Sequence, residues 1–283
     1  MKIIERKDYL KRLIRLQGTP DIKIITGLRR SGKSELVRLY LKWIKSNTEN
    51  CTIIYVDFAN LKNDDLKNYK SLYAYIEEHY NDGCLNVVVI DEVQLCKQFE
   101  LAINSLYNSH KYDIYITGSN AFLLSSDLST LFTGRFIEIP VYPFSLAEYC
   151  TYYGLDVNTV NLLDSYVTDG GLAGSYVYKE KEDQVSYIRD IYQTIIKRDL
   201  VDKYGIKEES LLDSLTDYLM DNISNITSAS KISTVFKKNV IETNHVTIGN
   251  YIKYLCNAFM FYKVKRYDIK GKKYLETTDK YYL

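Results

Sequence analysis

The chain has 283 residues, 46% hydrophobic and 26% charged, proportions of a globular protein that exclude disorder as its main state. Its length points to two domains, or one domain with an appendage. Thirty-seven Lys and Arg against 36 Asp and Glu leave a net charge of +1, so the chain as a whole is not built for a polyelectrolyte partner.

From the N-terminus, Leu10, Leu13 and Ile14 share one helical face, which predicts a helix over Tyr9–Leu16. After Gly18 and Pro20 a short apolar strand, Ile22–Thr26, runs into GLRRSGKS and a helical pattern reaching Ile44. Thr52–Phe58 reads as a second strand, Leu72–His79 as a helix, and Val87–Ile90 as a buried strand because its apolar run is continuous. A helix over Glu100–Tyr107 precedes strands at Asp113–Thr117 and Phe136–Val141. Strands alternating with helices at this spacing predict an α/β fold, a parallel five-stranded sheet covered on both faces, over residues 1–143.

Beyond Pro143 the pattern turns helical. Phe144–Tyr153, Val160–Val167 and Gln184–Tyr204 are expected to form a lid or linker over residues 144–205. A third region, 206–283, opens with the amphipathic helix Glu208–Ile223. It continues with a helix from Ser228 to Lys238, a turn at Glu242–Asn244, a helix Val246–Ala258 and a hairpin from Phe261. Helix, helix, hairpin is the order of a winged helix-turn-helix.

The longest unbroken apolar run, Ala258–Tyr262, has five residues, far below the ~20 that span a bilayer. The opening MKIIERKDYLKR lacks the apolar core of a signal peptide. A cytoplasmic protein without a membrane partner is the expectation. The five cysteines, with no CxxC pair, are expected to be reduced, buried thiols.

The strongest chemical signal is GxxxxGK[ST] at Gly27–Ser34, lying between a predicted strand and a predicted helix. Gly27 and Gly32 let the backbone bend around phosphates. The backbone N–H groups of Ser31 to Glu35 then point at the anion from a helix N-terminus, with Arg30 adding charge beside them. Lys33 would bridge β- and γ-phosphates and Ser34 would ligate Mg²⁺. Asp91, expected on a strand beside the P-loop strand, would hold the Mg²⁺ shell, and Glu92 would orient or deprotonate the attacking water. In Thr117-Gly-Ser119-Asn120 the polar residue favoured to sense the γ-phosphate is Ser119, over Thr117 and Asn120. Arg135 would reach a γ-phosphate of its own chain or of a neighbouring subunit.

GLRRSGKS, VVVIDEVQ, YITGSN and TGRFIEIPVYPFSLAEY together resemble the prokaryotic AAA-type P-loop ATPases of the archaeal-ATPase group. YIRDIYQTIIKRDLVDKYGI and RYDIKGKKYLETTDKYYL are similar to that group's linker helix and wing, so the resemblance runs from about residue 20 to the C-terminus. It implies ATP and Mg²⁺ as ligands and supports Lys33, Ser34, Asp91 and Glu92 as the residues that hold them; Ser119 and Arg135 gain some support. Members usually continue past the wing into a domain sometimes similar to restriction nucleases, and that domain is expected to be absent here.

The reading of the sequence is an ATP-hydrolysing switch whose nucleotide state moves the winged helix. No Asn-Lys-x-Asp string favours a GTPase. A DNA-binding module gated by nucleotide is the alternative from the binding class. Residues 260–283 carry seven basic residues, including Lys263, Lys265 and Arg266, against three acids, beside a helix that offers Thr247, Asn250 and Lys253. A wing packed on its own ATPase domain competes with that reading. A scaffold that binds ATP without turnover is a third, against which Glu92 speaks; a protein partner and homo-oligomers also stay open.

Overall fold

A computed structural model describes residues 2–118, 132, 134–265 and 278–283. Ser119 and Asn120 lie outside the described residues, as do Arg266, Lys270, Lys272 and Lys273. Runs of aliphatic and β-branched residues form β1 (Ile22–Thr26), β2 (Cys51–Asp57), β3 (Leu85–Asp91), β4 (Tyr112–Thr117) and β5 (Phe136–Pro140). All pair in parallel, in the order β2-β3-β4-β1-β5. Each end lies within one residue of its expected place, except that β3 starts two residues early at Leu85.

The period-two alternation of the strands divides their side chains between two cores. Ile22 and Ile24 of β1, Val88 and Ile90 of β3, and Ile114 and Ile116 of β4 pack with α3 (Tyr69–Glu78) and α4 (Phe99–Ser109) through Leu72, Ile76, Ile103 and Leu106. On the other face Ile25, Val87, Val89 and Tyr115 meet α1 (Lys7–Leu16) and α2 (Lys33–Asn47) through Leu10, Leu13, Leu36, Val37, Tyr40 and Ile44. Burying each such aliphatic chain is worth about 1.5–3 kcal/mol, which is what holds helices on both faces.

The strand order corrects one expectation. β4 stands between β3 and β1, so the strand that ends in Asp91 is not the neighbour of the P-loop strand. Hydrophobic periodicity reports burial and carries no information on lateral order.

A charged pair is buried inside this sheet. Lys23 of β1 is fully buried and its Nζ is 2.5 Å from Asp113 Oδ1 of β4. The same ammonium donates to the Thr19 carbonyl at 2.5 Å, while Asp113 Oδ2 accepts from Gly18 N at 2.9 Å and the Tyr115 hydroxyl at 3.2 Å. A buried charge is tolerable only when paired and hydrogen-bonded in this way.

The chain divides into two compact units, Met1–Ile191 and Tyr192–Leu283. The first includes α5 (Leu146–Tyr153) and α6 (Leu162–Asp169), gathered on a small core of Ile4, Phe144, Tyr149, Cys150, Ala173 and Tyr176. The helix expected over Gln184–Tyr204 is instead α7 (Lys181–Thr194) running into a π-helical segment, Ile195–Asp202. Wide turns of this kind are rare and leave no periodicity signal.

The second unit holds α8 (Glu209–Asp221), α9 (Ala229–Lys238), α10 (His245–Asn257) and an antiparallel pair, β6 (Tyr262–Lys265) and β7 (Asp279–Tyr282). Ser228 and Asn244 cap α9 and α10 by accepting backbone N–H bonds. The return strand expected from Lys273 is described only from Asp279.

No helix is long and apolar enough to cross a membrane among the described residues. All five cysteines are free thiols; Cys96 and Cys150 are buried, whereas Cys51, Cys84 and Cys256 are only half-buried, contrary to expectation. Cys51 and Cys84 lie at strand entries, where the sheet gives way to solvent-facing turns.

Candidate nucleotide-binding site

The loop between β1 and α2 is shaped by residues that only certain side chains permit. Gly27 has φ +143°, and a Cβ there would stand 2.1 Å from the carbonyl oxygen of Val141, the residue after β5. No other amino acid fits. Gly32, the N-cap of α2, has φ +94°, and Arg30 has φ +67°. Ser31 N–H closes a turn on the Leu28 carbonyl at 3.1 Å. The chain thus curls and delivers its next N–H groups to the helix N-terminus.

Lys33 is 6% exposed, and its ammonium donates to the Gly27 and Leu28 carbonyls at 3.0 Å each, inside the curl. Ser31 is 4% exposed, and its hydroxyl is buried with no hydrogen-bond partner among the described residues. A buried donor left without a partner costs about 1–3 kcal/mol. An orphan hydroxyl and an ammonium in one glycine-shaped loop fit a phosphate. Ser34 and Glu35 follow half-buried on the first turn of α2, Glu35 paired with Arg38.

The acids expected downstream sit at the same, C-terminal edge of the sheet. Asp91 ends β3, is 2% exposed, and accepts hydrogen bonds from the Thr117 hydroxyl and, at 3.4 Å, from the Tyr55 hydroxyl. Burial, with the charge of Asp91 adding to it, pushes the Tyr55 phenol well above its ordinary range, so Tyr55 remains a donor. Glu92 has left-handed backbone (φ +56°), its N–H donates to Thr117 Oγ1 at 3.2 Å, and its carboxylate accepts from the Gln94 side chain. A non-glycine residue held there stores about 1–3 kcal/mol, a cost that recurs at functional sites.

Mg²⁺ keeps several waters and is held by one or two carboxylates plus substrate phosphates. Ser34 on the first turn of α2 and Asp91 at the end of β3 carry oxygen donors of the kind that ion takes. Among the described residues no group of three His, Cys, Asp or Glu forms a metal site on its own, so such an ion would complete its shell with phosphate oxygens and water.

One expected site residue is not described and another stands away from the loop. Ser119 falls outside the described residues. Arg135 immediately precedes β5, its carbonyl accepting from Ile22 N at the start of β1. The P-loop leaves the other end of that five-residue strand, ~16 Å away at ~3.3 Å per residue. Arg135 is exposed and lies over the Tyr107 ring with Nη1 3.4 Å from Asn108. The expectation that it reaches the γ-phosphate of its own chain is therefore corrected.

Two contributors have no place in the sequence reading, and a third, Thr117, weighed there behind Ser119, touches both Asp91 and Glu92. Gln94 belongs to the same DEVQ stretch as the acids and was open to notice there. Arg6 donates to the Ser31 carbonyl at 3.0 Å and has no sequence signal at all.

A five-stranded parallel sheet with helices on both faces, and a glycine-shaped loop at the edge where β3 ends in two acids, match the α/β fold of P-loop NTPases. Residues 19–150 match the AAA domain, and residues 160–283 match a domain of unknown function, DUF8612. An uncharacterized protein of Haemophilus influenzae is 34% identical over 288 residues, covering 99% of this chain and 71% of that protein. The chain belongs to the family of that protein. Uncharacterized protein MJ1544 of Methanocaldococcus jannaschii is 22% identical, covering 96% of this chain and 63% of its own length. Among solved structures, the Walker-type ATPase PABY2304 of Pyrococcus abyssi shares the fold, with a TM-score of 0.61 and 16% identity over 98% of this chain and 93% of that one.

Proposed function

We propose that this chain binds ATP with Mg²⁺ at the Gly27–Ser34 loop and hydrolyses the γ-phosphoryl bond. The buried Ser31 hydroxyl, which has no hydrogen-bond partner among the described residues, is the observation that carries this reading. Bound Mg²⁺ would supply charge neutralisation across the β- and γ-oxygens. Lys33 would turn from the loop carbonyls to the phosphates, Ser34 and Asp91 would hold the ion, and Ser31 to Glu35 would offer their N–H groups. Glu92 would take the proton of the attacking water, its carboxylate aimed by Gln94 and its backbone pinned by Thr117.

Titration of Mg·ATP into wild type and Lys33→Ala tests this. Saturable binding by the wild type, weakened about tenfold or more by losing the charged donor, is expected. No binding by the wild type at millimolar ATP would overturn it.

For the second unit we infer a winged helix moved by nucleotide state. The order of α9, α10, β6 and β7 supports it. Asn250 and Lys253 are exposed on α10 and favour a DNA-facing role. Lys263, however, is paired with Asp279 at 2.6 Å, and the exposed acids Glu208 and Glu242 lie beside the start of α10. DNA gating therefore stays the second reading. Absence of duplex binding at low salt, where phosphate contacts are strongest, would end it. For Arg135, a finger role now requires a second copy of the chain.

A further inference from the structure

We propose that Arg6 is a positioning residue that links occupancy of the P-loop to α5. The inference rests on the nucleotide-binding reading above and adds to it a residue and a coupling.

Arg6 is 4% exposed although it carries a permanent charge. Its Nη1 donates to the Ser31 carbonyl at 3.0 Å, in the middle of the P-loop. Its Nε and Nη2 donate to the two oxygens of Glu148 at 2.6 and 3.0 Å. Glu148 is the third residue of α5 and half of a capping box with Ser145, whose N–H donates to Glu148 Oε2 at 2.9 Å. One guanidinium therefore holds a P-loop carbonyl and the N-terminal cap of α5 at once. The ring centroids of Tyr9 and Phe144 lie 4.5 and 5.2 Å from its central carbon.

The rest of the segment follows the same helix. Lys2 Nζ donates to the Tyr152 carbonyl at 2.6 Å and the Thr151 carbonyl at 3.2 Å, in the last turn of α5, while Ile4 is buried among Phe144, Tyr149 and Cys150. Residues 2–6 thus strap α5 from its last turn to its first, and Arg6 ties that strap to the phosphate cradle.

The chemistry of the fork explains why arginine is needed. A planar guanidinium presents five donors in fixed directions; an ammonium is a single point that cannot serve a carboxylate bidentately and a carbonyl on the far side together. When phosphate fixes the curl at Ser31, the Ser31 carbonyl is fixed with it. Arg6 then transmits that order to Glu148 and the first turn of α5.

The test uses the full chain with Mg·ADP, comparing wild type, Arg6→Lys and Glu148→Gln by affinity and by hydrogen exchange of the α5 amides. In the wild type, Mg·ADP is expected to slow exchange at α5 as well as at the start of α2. Arg6→Lys should bind about tenfold or more weakly and, even when saturated, protect α2 without α5. Glu148→Gln keeps the contact of Arg6 with Ser31, so it should lose α5 protection with a smaller loss of affinity; it also decides the matter if Arg6→Lys fails to fold. A wild type that binds Mg·ADP without protecting α5, or variants that bind and protect as the wild type does, would overturn the coupling alone. A wild type that binds no nucleotide would overturn the nucleotide-binding reading, and the coupling with it.

Discussion

The Thr117 hydroxyl, at the end of β4, donates to the carboxylate of Asp91 at the end of β3 and accepts the backbone N–H of Glu92. A single buried oxygen thus fixes both acids that the proposed reaction needs, across two neighbouring strands.

Thr117→Val keeps the shape and removes that oxygen. It leaves a buried carboxylate oxygen and an N–H without their partner, worth about 1–3 kcal/mol, and it releases the left-handed backbone of Glu92. Turnover number is expected to fall about tenfold or more, with KM changed less, because the loss falls on the attacking water. Thr117→Ser should restore most of it. Steady-state kinetics of the two variants checks this, and equal kcat in Thr117→Val and wild type would contradict it.

At the opposite edge of the sheet the buried pair of Lys23 and Asp113 bears on folding alone. Asp113→Ala would strand a fully buried ammonium, and breaking such pairs costs about 3–5 kcal/mol. Replacing both partners, as Lys23→Met with Asp113→Leu, should recover much of that loss. Urea denaturation of single and double variants measures the difference.

The pair of Arg6 and Glu148 predicts a pH dependence. Burial pushes the Glu148 carboxyl up, but hydrogen bonds from Arg6 and Ser145 outweigh it and hold the group below its ordinary 4.5. A carboxyl whose folded pKa lies below its unfolded one contributes stability above that ordinary value and loses it as pH falls toward the folded one. The urea midpoint of the wild type should therefore exceed that of Glu148→Gln near neutral pH, and the gap should close as the pH drops below the carboxylate range. A gap that stays constant through acid would show that the ion pair is not its source.

How far the sequence discloses this molecule depends on the range of each interaction. The strands and most helices were legible because burial imposes its own period, and Gly27–Ser34 because phosphate binding fixes residue types at fixed spacing. Lateral order was not: nothing in VVVID says that β4 separates it from β1, or that Arg135 stands at the far end of the sheet. The short 3₁₀ turns Leu61–Leu66, Val93–Leu95 and Ala173–Val177 are too brief to leave a pattern. Ser145-x-x-Glu148 was readable as a capping box, yet its partner Arg6 lies 142 residues away, a distance that no local pattern spans.

Hydrolysis of Mg·ATP by wild type, Lys33→Ala and Glu92→Gln tests the proposed activity most directly. Turnover by the wild type is expected, together with binding weakened about tenfold or more in Lys33→Ala and retained binding with turnover reduced by at least ~100-fold in Glu92→Gln, the low end of a general base's contribution. A wild type that binds ATP and releases no phosphate, or a Glu92→Gln variant that turns over as fast as the wild type, would contradict the assignment of Glu92 as the base.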